Sequence, residues 1–193
     1  MKKIISLVIL FALLLNSGIA YAVEGFNYRA EAQKLNDLGL YNGISATTYN
    51  PDLSALLDRE TGVVMLLRIF GLESEAEAIT DANAILAKFS DASKISGWAK
   101  KAVAYAVKKG LVRGNTDGTF GPKATMKAEA YGTLILRQLG YNPDYGNALS
   151  ELVDKGILPA EDAAKFAGKQ LRKDDVVGLS FGCLVRQATR VKS

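Results

Sequence analysis

Side chains suited to holding a ligand are grouped in the middle of the chain. Gly114 and Gly118 bracket the sequence Asn-Thr-Asp, a turn that lets backbone approach a ligand closely. Asp117 in that turn can accept hydrogen bonds from sugar hydroxyl groups, and Trp98 offers a flat apolar face to a pyranose ring. Lys127 precedes a predicted helix, whose free backbone amides already favour an anion. These residue types together predict a site for a saccharide that carries negative charge.

Each of these residues also has a purely structural interpretation. Trp98 lies at helical spacing with other apolar residues, which is typical of a core-facing helix side. In this interpretation, Asp117 does no more than cap its own turn, and Lys127 is an ordinary solvated lysine. Calcium binding is not predicted, because Arg113 and Ala124 occupy the first and last ligand positions of the loop and neither supplies a carboxylate.

The composition argues against catalysis. The chain has no histidine, which is the commonest general base and zinc ligand. Its adjacent acidic pairs, 161–162 and 174–175, do not face each other on a helix. The one cysteine, Cys183, lies in an apolar run and is predicted to be a buried small side chain rather than a reactive thiol. We therefore expect a binding protein without enzyme activity, metal or cofactor.

The first residues are typical of a secretory signal peptide. Lys2 and Lys3 precede a 12-residue apolar run, Ile4–Leu15, and Ala20 and Ala22 supply small residues for signal peptidase. The run is shorter than the roughly 20 residues that a membrane-spanning helix needs, so an uncleaved anchor is the less favoured alternative. We expect cleavage after Ala22, secretion to the cell-wall surface, no later membrane insertion, and a single domain over 23–193.

Charge is modest overall but unevenly distributed. Residues 23–193 contain 22 basic and 20 acidic side chains, a balance that gives no support for nucleic-acid binding. Residues 89–141 alone contain nine basic and three acidic side chains. Such a local positive patch attracts anions over a distance, and salt weakens the attraction.

Three segments repeat one plan. Each has a glycine at the end of a predicted helix (39, 110 and 156), and each has an acidic residue that opens a second helix 19 to 21 residues later (60, 129 and 175). Two markers recur at one offset, because Glu60 to Glu129 and Gly71 to Gly140 are both 69 residues. The units span about 25–71, 89–141 and 142–190. Residues 72–88 are rich in helix formers and predict a connecting helix, with an acidic flexible linker as the alternative.

The predicted fold is all-α. Each unit contributes two helices, the first ones being expected near 28–38, 96–109 and 145–155. Two amphipathic helices bury little surface alone, so three units are expected to share one core. The resulting expectation is a pseudo-threefold arrangement of helix–loop–helix repeats in which the three first helices form a central bundle.

The middle unit resembles a complete S-layer homology motif. Six short signatures occur in the order typical of that family: Phe89-Ser-Asp, Trp98-Ala, Gly110-Leu-Val-Arg-Gly, Asp117-Gly-Thr-Phe-Gly-Pro, Met126-Lys-Ala-Glu and Leu136-Arg-Gln-Leu-Gly. The first unit resembles a degenerate copy that keeps Leu57-Asp-Arg-Glu-Thr and Leu67-Arg-Ile-Phe-Gly. The third keeps Leu171-Arg-Lys-Asp-Asp.

The resemblance implies non-covalent binding to a secondary cell-wall polysaccharide, often one that carries an anionic pyruvate ketal. It also implies sugar-binding grooves between units and a role for the basic residue before Ala-Glu. That residue is Lys127 in the middle unit and, by the same alignment, Lys173 in the third. In the first unit Asp58 takes this position and Arg59 is displaced by one. The candidate polysaccharide-binding residues are therefore Trp98, Arg113, Gly114, Asp117, Gly118, Lys127, Lys173 and Arg59.

A second function remains open. A scaffold with altered grooves can bind another surface protein instead of a polysaccharide. The substitution of Asp58 in the basic position of the first unit favours this alternative.

Overall fold

A computed structural model describes residues 27–43 and 48–191 of the chain. The predicted signal segment, 1–22, lies outside the described residues. Within them the regular structure is helical, and β-pairing is limited to isolated bridges, so the all-α prediction is confirmed. The helices are α1 (Arg29–Asp37), α2 (Arg59–Ile69), α3 (Glu73–Glu77), α4 (Ala82–Leu86), α5 (Lys100–Lys108), α6 (Ala128–Gln138), α7 (Ala148–Asp154), α8 (Ala160–Phe166) and α9 (Lys173–Val191).

Left-handed glycines end the first helix of each unit, as predicted. Gly39, Gly110 and Gly156 have φ of 70°, 73° and 62°. The next residue in each case donates its N–H to a carbonyl five residues back, at 2.8 Å, which satisfies an orphan carbonyl of the helix end. Those next residues, Leu40, Leu111 and Ile157, are all buried. The glycine therefore ends each helix, and the apolar residue after it packs into the core.

The second helices, rather than the first, occupy the centre. In α2 every side chain from Val63 to Leu67 is buried, and in α6 every residue from Tyr131 to Leu136 is buried. A helix that is apolar all round must be surrounded by other elements. Each second helix packs against the first helix of the following unit: α2 on α5, α6 on α7, and α9 on α1. The expectation that the first helices form the central bundle is wrong.

Three backbone hydrogen bonds close a ring just before α2, α6 and α9. Leu57 N–H donates to Leu171 O at 2.9 Å, Leu171 N–H to Met126 O at 2.9 Å, and Met126 N–H to Leu57 O at 2.8 Å. The ring brings together three segments that are 45 and 69 residues apart in sequence. It therefore fixes which residues of the three segments occupy equivalent positions.

Buried carboxylates tie neighbouring units together. Glu60 in α2 is fully buried, accepts the N–H of Ser96 at 3.0 Å and pairs with Lys123. Burial alone would raise the pKa of Glu60, but the hydrogen bonds from Lys123 and Ser96 lower it below its usual value. Asp174 in α9 similarly accepts the N–H groups of Asn27 and Tyr28. Each carboxylate thus holds the start of another unit's first helix.

Residues 72–88 form two short helices, α3 and α4, rather than the single connecting helix expected. Both pack against α5. Leu86 is 1% exposed, and Lys101 Nζ donates to Glu77 O at 2.9 Å. No helix in the described part of the chain is both long enough and apolar enough to cross a membrane.

Candidate functional site

A groove that we call the arginine groove lies between α6 and the loop Leu111–Thr116. Its volume is about 470 Å³, within the usual range for ligand pockets. Its polar lining consists of Arg59, Arg113, Asn115, Thr116, Thr133, Arg137 and Tyr145. None of the described residues that line it is acidic. The groove therefore presents three guanidinium groups and no opposing carboxylate.

Neutral oxygen atoms hold each guanidinium in place. Arg59 Nη1 donates to Asn115 Oδ1 at 2.7 Å, and the Arg59 guanidinium lies 5.2 Å from the centre of the Phe120 ring. Arg113 Nη2 donates to Asn142 Oδ1 at 2.7 Å. Arg137 Nη1 donates to the backbone oxygen of Leu111 at 2.9 Å. These contacts orient the arginines without neutralising them.

Burial and neighbouring charge both act on the arginines of this groove. Burial lowers the pKa of Arg59, and the nearby Tyr145 and Asp91 offset part of that effect. Burial lowers the pKa of Arg137 too, and the charges of Arg113 and Arg59 lower it further. Arg137 Nε is buried and has no hydrogen-bond partner within the described residues. A bound anion would relieve both the repulsion and the unmet hydrogen bond, and planar guanidinium groups match a carboxylate well.

A second groove, which we call the tryptophan groove, lies beside Trp98 and has a volume of about 300 Å³. It is lined by Tyr41, Gly43, Thr61, Val64, Met65, Arg68, Trp98 and Lys173. Both of its cations are paired within the chain. Arg68 Nε lies 2.7 Å from Glu73 Oε1, and Lys173 Nζ lies 2.7 Å from Asp52 Oδ2.

Helix α2 separates the two grooves. Arg59 and Val63 line the arginine groove, whereas Thr61, Met65 and Arg68 line the tryptophan groove. At 100° per residue these two sets point to opposite sides of the helix. One helix therefore contributes to both candidate sites.

The predicted site residues separate into three groups. Arg59, Arg113 and Gly114 line the arginine groove. Trp98 and Lys173 line the tryptophan groove. Asp117, Gly118 and Lys127 are exposed but are not among the residues that line either groove.

Trp98 is 58% exposed, so its interpretation as a core residue is wrong. It lies in a single 3₁₀ turn, Gly97–Ala99, and α5 begins only at Lys100. The tighter turn shifts Trp98 off the apolar side that the helical spacing predicted. Its indole face is consequently available at the surface.

Asp117 caps its own turn. Its Oδ1 accepts the Thr119 hydroxyl at 2.6 Å and the Thr119 N–H at 2.9 Å. The hydroxyl bond and then the backbone bond lower the pKa of Asp117. The structural interpretation of this residue therefore accounts for its contacts.

The hydrogen-bonded ring changes the alignment of the basic residues. It sets Arg172, not Lys173, at the position of Lys127, because both follow a ring residue directly. Lys173 instead shares the position of Arg59, and their N–H groups donate to the equivalent carbonyls of Ala55 and Ala124. Arg59 and Lys173 thus lie one position after the basic position that Lys127 occupies. Both of them line a groove, whereas Lys127 does not.

Sequence analysis missed Arg137 and Tyr145. A signal for Arg137 was present, because the 69-residue offset aligns it with Arg68 in a repeated Leu-Arg pair. Tyr145 lies in a 3₁₀ turn just before α7, as Trp98 lies in one just before α5. The turn preceding the next unit's first helix thus supplies an aromatic side chain to each groove.

Comparisons with known proteins point to one family for part of the chain. Residues 88–127 match the model of the S-layer homology domain. The chain is similar to a surface-layer 125 kDa protein of Lysinibacillus sphaericus, with 30% identity over 103 residues. That alignment covers 46% of this chain and only 9% of the relative. No solved structure matches the chain.

Proposed function

We propose that this chain is an exported cell-surface module that binds non-covalently to an anionic, pyruvylated secondary cell-wall polysaccharide. The observation that carries the proposal is the arginine groove, in which Arg59, Arg113 and Arg137 have neutral partners. The S-layer homology match over 88–127 and the similarity to a surface-layer protein support a cell-wall location. Export by a signal peptide cleaved after Ala22 is part of the proposal.

The chemistry of the groove suits a carboxylate on a sugar. A pyruvate ketal projects a planar carboxylate from the ring, and a guanidinium can donate two parallel hydrogen bonds to it. Asn115, Thr133 and Tyr145 line the same groove and can bond ring hydroxyls. The groove thus combines charge recognition with hydroxyl recognition.

We further infer that the three units are related by a pseudo-threefold axis. The closed ring formed by Leu57, Met126 and Leu171 supports this inference, as does the cyclic packing of each second helix on the next unit's first helix. The first and third units are taken to be divergent copies of the middle one.

Retention on purified wall polysaccharide tests the proposal. At low salt we expect residues 23–193 to be retained on native polymer, and retention to fall when the pyruvate groups are removed by mild acid. Arg113→Ala should weaken binding about 10- to 100-fold, since a hydrogen bond to a charged group contributes about 1.5–3 kcal/mol. Lys127→Ala should cost less, because Lys127 lies outside the groove.

Lys108→Ala is the matched control, since Lys108 is an exposed cation at the C-terminal end of α5 and lines neither groove. Equal losses for Arg113→Ala and Lys108→Ala would contradict the assigned site. Absence of retention on native polymer at low salt would contradict the proposed function itself.

A second candidate function is binding to another surface protein. Trp98, Tyr141 and Tyr145 are all at least 40% exposed, and aromatic side chains are enriched where proteins bind one another. Chemical cross-linking on intact cells distinguishes the two functions. One dominant protein adduct would favour this candidate, whereas recovery with wall polymer alone would favour the first.

A further inference from the structure

We infer that the tryptophan groove takes an uncharged sugar residue of the same wall polymer, stacked on Trp98, while the arginine groove takes the charged one. The inference rests on the proposed function and adds that the two grooves bind different sugars of the polymer. It concerns the chemical class of ligand that each groove selects.

The two grooves have cations at equivalent positions but different charge. Arg68 lies 69 residues before Arg137, and Lys173 shares the ring position of Arg59. In the arginine groove, Arg59 and Arg137 both donate hydrogen bonds to neutral oxygen atoms. In the tryptophan groove Arg68 pairs with Glu73 and Lys173 pairs with Asp52.

Internal ion pairs disfavour an anionic ligand in the tryptophan groove. A carboxylate entering there would have to displace Glu73 or Asp52 from its cation, or lie beside an existing negative charge. Like charges at such distances repel. The pairs thus leave the groove close to neutral while keeping hydrogen-bonding groups in it.

The remaining lining suits the apolar side of a sugar ring. Trp98 presents an exposed indole, and Val64 and Met65 form an apolar floor. Thr61 adds a hydroxyl able to bond a ring substituent. An uncharged pyranose has both features, a C–H face for stacking and hydroxyls at its edge.

The two grooves are separated by helix α2. They lie on opposite sides of α2, and a helix with its side chains is about 10–12 Å wide. Two sugars that fill both sites must therefore be separated along the strand rather than adjacent, and simultaneous attachment at two sites would increase the apparent affinity.

Fluorescence provides the first test, because Trp98 is the only tryptophan in the chain. We expect de-pyruvylated wall polymer to change the Trp98 emission at concentrations higher than native polymer needs, with little dependence on salt. Binding of native polymer without any emission change from the de-pyruvylated polymer would overturn the inference and leave the proposed function intact. Absence of binding to native polymer would instead overturn the proposed function.

Substitution of Trp98 provides the second test. Trp98→Ala should weaken binding of native polymer by up to about tenfold and leave its salt dependence unchanged, whereas Arg113→Ala should reduce the salt dependence. Tyr141→Ala is the matched control, since Tyr141 is exposed and lines neither groove. A loss for Tyr141→Ala equal to that for Trp98→Ala would overturn the assignment.

The third test removes the ion-pair partner of a cation in the tryptophan groove and looks for stronger binding. Glu73→Gln frees Arg68 and should strengthen retention of pyruvylated polymer several-fold, with a steeper salt dependence. Glu77→Gln removes the same charge from the same helix, but its partner Lys101 lies outside both grooves. Equal effects of the two substitutions would show that net charge alone acts and would overturn the argument from ion pairs.

Discussion

At the scale of single residues, Gly178 in α9 shows how closely two units approach. A Cβ atom added there would lie 2.5 Å from the ring of Tyr28, which no real contact tolerates. The ring cannot move away freely, since it also packs against Phe166 at 6.0 Å between ring centres. Glycine is needed here for contact between distant segments, not for its own backbone angle.

Gly178→Ala is therefore expected to destabilise the protein by about 1–3 kcal/mol through overpacking. Gly182→Ala, one turn later in the same helix, has only an ordinary contact with Leu158 at 3.4 Å. It should be neutral or stabilising by up to about 1 kcal/mol, because alanine favours helix more than glycine does. Urea unfolding of both variants measures the difference, and equal midpoints would contradict the close approach.

At the scale of elements, residues 72–88 show what local composition can and cannot predict. Their helix formers predict helix, and helix is present in α3 and α4. The break between the two covers residues 78–81, and Asp81 directly precedes α4. Composition did not indicate that Leu86 turns inward against α5, because docking depends on a partner surface that lies later in the chain.

Leu86→Ala should cost about 2–5 kcal/mol of unfolding free energy, since it removes a buried side chain from a packed contact. Ile85→Ala is the control, because Ile85 is only partly buried in the same helix. Thermal and urea unfolding measure both. A flexible linker would make both substitutions nearly silent, and that result would contradict the docked arrangement.

At the scale of the whole molecule, the closed ring of Leu57, Met126 and Leu171 distinguishes this fold from an open repeat array. In an open array each repeat contacts only its neighbours, and the ends can unfold separately. Here the ring makes the third unit a neighbour of the first, and Lys173 N–H donates to Ala55 O at 3.0 Å. Loss of any one unit breaks contacts in both others.

Unfolding is consequently expected to be a single cooperative transition. Trp98 fluorescence reports on the middle unit, whereas far-ultraviolet circular dichroism reports on all the helices. The two signals should change at the same urea concentration. Helical signal that persists after the Trp98 transition is complete would mean that units unfold independently.

Much of the fold was predictable from local physics. Gly39, Gly110 and Gly156 end helices wherever the chain folds, because glycine adopts the left-handed angle without steric cost. The 69-residue offset and the apolar runs of the second helices likewise indicated repeated helical units. Among site residues, Arg113 and Gly114 were found because they lie in one contiguous loop motif.

Only the tertiary structure decided which cations face a groove and which are neutralised. Lys127 and Arg59 lie one position apart in the alignment of units, yet only Arg59 lines the arginine groove. Lys173 is neutralised by Asp52, which lies 121 residues away in sequence. Sequence alone established that this is an all-α chain with a candidate anion site around its middle unit. The charge of each groove depends in part on contacts between distant segments, such as Lys173 with Asp52, and spacing along the sequence does not specify those contacts.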